Sequence, residues 1–556
     1  MHLVSKDPSI VRVGEDYFLA TSTFEFFPGV PIYHSRDLIQ WETIGHALNR
    51  PSQLNLRGTA PSGGIFAPTL RHVNGTFYLI TTLFDIINPP DNATRTPRSF
   101  FVTTDNIWDE TTWSDPTYVD QPGFDPDLFF DPASTPDDDD VAHLTTTFSE
   151  SVETGNFANW LTTISPRTGN SLTPSRLLHT TTVPRDQGYP LTEGSHLYRI
   201  NGSVYMLTAD SGTEANHKSN VYRLAASSSS SSLSNGSTTA STLVAGPWEA
   251  NPHNPVLWNG RDMSLPVLST GHADLVEGAD GRWWAVFLAT RPQQPRNASG
   301  VSQLGRETFL CPVEWDAEGW PTFCGGDGTV REEVPGVLYE LERPRVWRDG
   351  FDEGVGFKDK GYYFLRTPYK TFVDFESRPG WLRLHGNLYT LSQRETPAAV
   401  LRKQVDFNTT FSAELTSFEP EGWRQEAGVS VYLSIHYHDE IAVTVSNVTG
   451  RRAVVTHVRS GPEATLNTTY HEDEGVALGE APVRLFIEAK EAGYRFGYAV
   501  GEEEPKYVAS VENKWLQAYV EGWQNFVGSH FAIYNTGTNL PTLSPADFNY
   551  IQTELN

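Results

Sequence analysis

One short phrase occurs five times in the first half of the chain, and this recurrence limits the fold more than any other feature. The copies read Lys6-Asp7-Pro8-Ser9-Ile10, Phe66-Ala67-Pro68-Thr69-Leu70, Gly123-Phe124-Asp125-Pro126-Asp127-Leu128-Phe129, Thr192-Glu193-Gly194-Ser195-His196-Leu197 and Gly271-His272-Ala273-Asp274-Leu275. Four of them lead through a glycine to aromatic residues: Gly14 to Tyr17-Phe18, Gly75 to Phe77-Tyr78, Gly202 to Tyr205 and Gly281 to Trp283-Trp284. Five copies of one phrase mean five copies of one structural unit. The heads fall at 7, 67, 125, 193 and 272, so the spacings are 60, 58, 68 and 79 residues. Insertions explain the later swelling: Asp137–Asp140, the region from Pro174 to Pro190, and a serine-rich tract over 227–239 that reads as an exposed loop.

Within each unit a short apolar strand, a glycine turn and an aromatic-rich strand are followed by further β-branched or polar strands. The first unit continues through Val30-Pro31-Ile32-Tyr33-His34 and Trp41-Glu42-Thr43-Ile44-Gly45, which makes four strands. Four strands per unit, five times over, specify an all-β, five-bladed β-propeller. The first strand of each blade then lines the central channel, and the five heads converge at one of its mouths.

The phrase stops at about Glu333. Residues 336–350 read as a linker between a propeller at 1–335 and a second domain at 351–556. There, alternating segments such as Phe411–Leu415, Ala427–Leu433, Ile441–Val445 and Val483–Glu488 recur without the long period, the pattern of an antiparallel β-sandwich.

Lys and Arg total 41 against 68 Asp and Glu, a formal charge of -27. Such a surface repels phosphate backbones and anionic lipid, which excludes nucleic acid and membrane as expected partners and suits a neutral substrate. Oligomeric state is left open. No apolar run approaches the roughly 20 residues of a membrane span, and Met1–Lys6 shows no signal-peptide pattern. Eight Asn-x-Ser/Thr sequons, at Asn74, Asn92, Asn201, Asn235, Asn297, Asn408, Asn447 and Asn467, nevertheless point to a secreted, extracellular protein. So do the two cysteines. Cys311–Trp315 and Trp320–Cys324 flank Asp316-Ala317-Glu318-Gly319 as a hairpin; with Trp315 facing Trp320, Cys311 falls opposite Cys324, within disulfide reach.

The chemistry sits at the heads. Asp7, Asp125 and Glu193 put three carboxylates at the start of inner strands. Two carboxyl groups across a pocket can hydrolyse a glycosidic bond, one protonating the leaving oxygen and the other activating water. A third raises the pKa of the acid by like-charge repulsion. One Asp-Pro alone would be a strand-start turn; three acids in one repeat phase weigh evenly between structure and function. His272 alone reads as a hydrogen-bonded core residue or a ligand. Arg306, in Leu304-Gly305-Arg306-Glu307-Thr308, can fork two hydrogen bonds to sugar hydroxyls or to a carboxylate, or simply form a surface ion pair. Zinc spacing, a Gly-x-Gly-x-x-Gly turn and a Walker sequence are all missing.

Taken in order, these phrases, with Ser22-Thr23-Phe24-Glu25-Phe26-Phe27-Pro28-Gly29-Val30 and Tyr33-His34-Ser35-Arg36-Asp37-Leu38, resemble glycoside hydrolase family 43, in its β-xylosidase and α-L-arabinofuranosidase branch with a C-terminal sandwich. The resemblance implies that Asp7 is the general base, Glu193 the general acid and Asp125 the carboxylate that tunes and orients the acid, with inversion at the anomeric carbon. It also implies substrate contacts from Phe24, Phe66, His272 and Arg306, with Phe526 of Asn525-Phe526-Val527-Gly528 closing the pocket from the sandwich. Relatives usually carry Trp-Ala-Pro where this chain has Phe66-Ala67-Pro68, a smaller stacking platform. No cofactor is required on this reading; either a calcium ion or a water fills the channel beside His272, and no metal ligand is assigned.

The expected activity is exo-acting, inverting removal of terminal β-D-xylose from xylo-oligosaccharides, with α-L-arabinofuranosidase activity in the same pocket. One rival is an arabinofuranosidase dedicated to arabinoxylan side chains. Another is a carbohydrate-binding propeller without turnover. A third, a retaining fructan-cleaving propeller enzyme, is disfavoured because the chain lacks an Asn-Asp-Pro-Asn opening.

Overall fold

The computed structural model describes residues 6–84, 97–131, 141–151, 154–184, 188–225, 244, 246–293, 302–332, 344–351, 359–460, 464–471, 478, 481–513, 519–520 and 523–556. The Asp137–Asp140 insertion, the serine-rich tract, linker residues 336–343 and the sequons at Asn92, Asn235 and Asn297 lie outside the described residues.

Five sheets, each with the chain-order connectivity of a blade, form the N-terminal domain. Their first strands are Ser9–Val13, Thr69–Val73, Phe124–Phe129, Thr192–Ile200 and Leu268–Glu277. In the second and fourth blades the first hairpin turns on Asn74-Gly75 and Asn201-Gly202, all four residues at positive φ, the geometry whose twist matches paired strands. The anticipated first blade is present, as Ser9–Val13, Asp16–Ala20, Gly29–Ser35 and Glu42–Leu48.

The five inner strands neighbour one another in a closed circuit, fifth against first included. An apolar cluster fills each wedge between adjacent blades; the one closing the ring joins Ile10, Leu19 and Tyr33 to Val276, Trp284 and Val286. Closure thus rests on side-chain packing and on Asp274, whose Oδ2 accepts from Ser9 Oγ at 2.7 Å and from the Ile10 N–H at 3.0 Å. Among the described residues neither end of the propeller exchanges a strand with the other.

Among the described residues the C-terminal domain is a β-sandwich of an eight-stranded sheet and a sheet to which it supplies seven strands, over one core that includes Leu401, Val429, Ile441, Leu485 and Ile533. Within the stretch expected to be linker, Val346–Asp349 is a strand paired with the C-terminal strand Ala546–Leu555. The two domains share a sheet: Phe26 and Phe27 of the first blade pair with Leu365 and Phe364 of the sandwich. Beside that seam Arg366, fully buried, donates from Nε to the Thr59 carbonyl at 2.7 Å. The sandwich is therefore held against the mouth of the propeller at which the heads converge.

The hairpin at 311–324 corrects the expected register. Trp315 pairs with Pro321, not Trp320, because Asp316 caps the loop by accepting from the N–H groups of Glu318 and Trp320. Cys324 lies just beyond its strand, its N–H bonded to the Pro312 carbonyl, and it is still disulfide-bonded to Cys311, with Cα atoms 5.3 Å apart. Among the described residues the only helical element is the single turn Glu110–Thr112, and no helix is long and apolar enough to cross a membrane.

Candidate active site

Asp7, Asp125 and His272 all adopt left-handed backbone, with φ of 52°, 50° and 52°. In the fourth blade the left-handed residue is Gly194, at 55°, and not Glu193. Bulges set this pattern: pairing skips between Phe124 and Asp127, between Glu193 and His196, and between Gly271 and Asp274. Glu193 is thus the structural counterpart of Phe124 and Gly271, one residue ahead of the repeat head. In the repeat phase read from the sequence it stands with Asp7 and Asp125, and the structure corrects that phase by one residue. Glycine is required at 194 on two counts, its φ and the His272 ring, whose Nε2 would lie 2.6 Å from a Cβ there.

These bulges bring Asp7, Asp125, Glu193 and His272 into one cavity of about 540 Å³, together with Phe24, Phe66, Arg306 and Phe526. Every residue singled out from the sequence is in its lining. Ala67, the second head, offers no acid, though it too lines the cavity.

Arg306 resolves its own ambiguity. Its guanidinium forks onto Asp7, Nη1 to Oδ1 at 2.8 Å and Nη2 to Oδ2 at 3.1 Å. It also donates from Nη1 to Thr213 Oγ1 and from Nε to the Phe526 carbonyl, at 3.2 and 3.4 Å. Ser22 Oγ adds a 2.6 Å hydrogen bond to Asp7 Oδ2. The second glycine that matters is Gly305, φ 72°, where a Cβ would lie 2.6 Å from the Gly528 nitrogen; the loop carrying Arg306 touches the sandwich backbone.

The carboxyls are driven apart electrostatically. Burial alone would raise Asp7, but Arg306, His272, the Ser22 hydrogen bond and Lys6 outweigh it, and its pKa is lowered. Burial, then the Asp7 and Asp210 carboxylates, push Glu193 up to about 8 against the opposing pull of Arg306. Asp125 is raised by burial and by Glu193 and Asp7. His272 is lowered to about 4, chiefly by burial, so it faces the cavity as a neutral imidazole.

Phenyl rings form the wall. Phe24 lies 5.3 Å from Phe66 and 5.6 Å from Phe526, and Phe66 stacks on Phe84 at 4.8 Å, centroid to centroid. Phe526 is fixed by donation of its N–H to Ser62 Oγ at 2.9 Å. Sequence reasoning missed Ser22, Thr213 and Asp210. Only Ser22 stood in a quoted phrase, and nothing there distinguished a base-holding hydroxyl from a strand-end serine.

Residues 1–321 match the profile of Glycosyl hydrolases family 43, and residues 348–554 match the Beta xylosidase C-terminal Concanavalin A-like domain. The chain belongs to glycoside hydrolase family 43. This family 43 enzyme is 34% identical over 553 residues to the non-reducing end alpha-L-arabinofuranosidase BoGH43B of Bacteroides ovatus, covering 98% of this chain and 92% of that one. It is 32% identical over 515 residues to xylosidase/arabinosidase 43B of Humicola insolens, covering 91% and 87%. The crystal structure of a xylan beta-1,4-xylosidase from Bacillus halodurans superposes with a TM-score of 0.83 at 30% identity, covering 99% of this chain and 98% of the other.

Proposed function

We propose that this glycoside hydrolase removes single terminal sugars, β-D-xylose from xylo-oligosaccharides and α-L-arabinofuranose from arabinoxylan, with inversion. The observation that carries the reading is two buried carboxyls lining one pocket in unlike surroundings: Asp7 held by the Arg306 fork, which favours its ionised form, and Glu193 raised by burial and by Asp7, which favours its protonated form. Asp7 takes a proton from water as its oxygen bonds to the anomeric carbon. Glu193 gives its proton to the departing oxygen as the glycosidic bond breaks. The third carboxyl, Asp125, sits with Glu193 and His272 so that their nearest donor atoms lie within 4.8 Å of one another, close enough to orient the acid and disfavour its ionisation. Phe24, Phe66 and Phe526 give the sugar ring an apolar surface, and closure by Phe526 favours chain ends over interior residues.

The family's chemistry needs no cofactor. A calcium ion beside His272 fits the residues there poorly. Its carboxyl donors would be Asp125 and Glu193, both raised by burial, and Glu193 has to carry a proton. We also propose an extracellular setting, supported by the Cys311–Cys324 bridge and by exposure of all five described sequon asparagines.

Product analysis on xylobiose and arabinoxylan tests the reading. Xylose and arabinose should appear as monomers from the outset, and Glu193→Ala should abolish both. A ladder of internal fragments, or sugar binding with no release, would overturn it.

A further inference from the structure

Below the catalytic heads the channel axis is crossed by a charged network that the reaction does not use. Two residues beyond Asp7, Ala67, Asp125, Gly194 and His272 stand Ser9, Thr69, Asp127, His196 and Asp274. Asp127 and Asp274 are 1% and 0% exposed, and a pair of carboxylates at that depth demands a cation. Arg71, from the second blade, supplies it. Its Nη2 is 2.9 Å from Asp127 Oδ1, and its Nη1 is 3.2 Å from Asp274 Oδ2. Nη2 also lies 3.2 Å from His196 Nδ1, and Nη1 donates to the Leu70 carbonyl at 3.1 Å.

Neutral donors add further hydrogen bonds to both carboxylates. Tyr198 Oη donates to Asp274 Oδ1 at 2.5 Å, Ser9 Oγ and the Ile10 N–H to Asp274 Oδ2, and the Leu197 N–H to Asp127 Oδ2 at 3.0 Å. Both carboxyls are held below the ordinary range against burial, with Arg71 the strongest opposing influence. All five blades meet in this network, through Ser9, Arg71, Asp127, Tyr198 and Asp274.

We propose that the Arg71 guanidinium is the resident cation of the axial channel, occupying the oxygen-lined position that Asp127, Asp274 and Tyr198 would otherwise offer to a divalent metal ion. Two carboxylates and hydroxyl oxygens around one point suit calcium or magnesium. With a guanidinium already there, a dication would meet direct repulsion and no free carboxylate. The fold is therefore pinned at its axis by a side chain that chelators cannot remove. This inference does not rest on the proposed reaction, because thermal stability reads it directly.

The test compares the wild-type protein with Arg71→Met, which keeps length and removes charge. Wild-type protein purified without chelator should hold far less than one divalent ion per chain by mass-spectrometric metal analysis. Its Tm and its rate on nitrophenyl xyloside should be the same in EDTA as in millimolar calcium or magnesium. Arg71→Met should melt at lower temperature, and calcium or magnesium should raise its Tm progressively with concentration. Adding Asp127→Asn to Arg71→Met should abolish that rise. One calcium bound per wild-type chain, or a wild-type Tm that EDTA lowers and calcium restores, overturns the proposal. So does a folded Arg71→Met protein that no divalent cation stabilises, or a rise that survives loss of Asp127. Should Arg71→Met not fold, the wild-type metal content and EDTA response decide the matter.

Discussion

Arg306 grips both oxygens of Asp7 from 299 residues away, at 2.8 and 3.1 Å. A bidentate guanidinium holds a carboxylate in one plane and favours its ionised form, and a general base needs both. Arg306→Ala leaves Asp7 buried without that partner, so its pKa rises and the acidic limb of the kcat/KM profile moves to higher pH. The rate at the optimum should fall by about 100-fold or more, the scale of leaving a buried charge unpaired. Arg306→Lys should recover part of the limb position and little of the rate. An unmoved acidic limb in Arg306→Ala would separate Asp7 from the base role.

Glu193 holds its proton up to about 8, so kcat/KM should fall on the alkaline side near that pH. Glu193→Ala should lose that limb. It should cost far more on xylobiose than on an aryl xyloside with an acidic phenol, since a good leaving group needs little protonation. Equal losses on the two substrates would count against Glu193 as the acid.

The same carboxyl weakens the fold. In the unfolded chain Glu193 ionises near 4.5, whereas in the folded protein it does so near 8. Its contribution to stability is complete below the lower value and is lost as pH rises through the upper one. Glu193→Gln, always neutral, should therefore match the wild type at pH 4 and exceed it by up to a few kcal/mol at pH 8. Denaturant titrations at the two pH values check this, and a constant difference would contradict it.

Cys311 and Cys324 are 13 residues apart and bridged. Unfolded without reductant, the chain should take up no alkylating reagent, and two equivalents after reduction. The double Cys→Ser variant should lose about 3 kcal/mol, the scale for closing a loop of that length.

The propeller was legible because each blade writes the same phrase at its inner strand, from Asp7-Pro8 to His272-Ala273. All the pocket residues named from sequence are in the pocket. The offset of Glu193 was hidden because the copies were matched on their acids; the third, fourth and fifth blades share one bulge, and counting back three residues from Leu128, Leu197 and Leu275 puts Gly194, not Glu193, beside Asp125 and His272. The Trp315 register failed for a related reason: Asp316 captures two N–H groups and lengthens the loop by one residue. Arg71 and Asp274 look, in sequence, like ordinary strand residues. Their significance comes only from closing five strands around one axis.

The central claim is single displacement between Asp7 and Glu193, and proton NMR of the first-formed sugar tests it most directly. During hydrolysis of a β-xyloside, the α-anomer of xylose should appear first and the β-anomer only later, by mutarotation. Initial release of β-xylose would contradict the account.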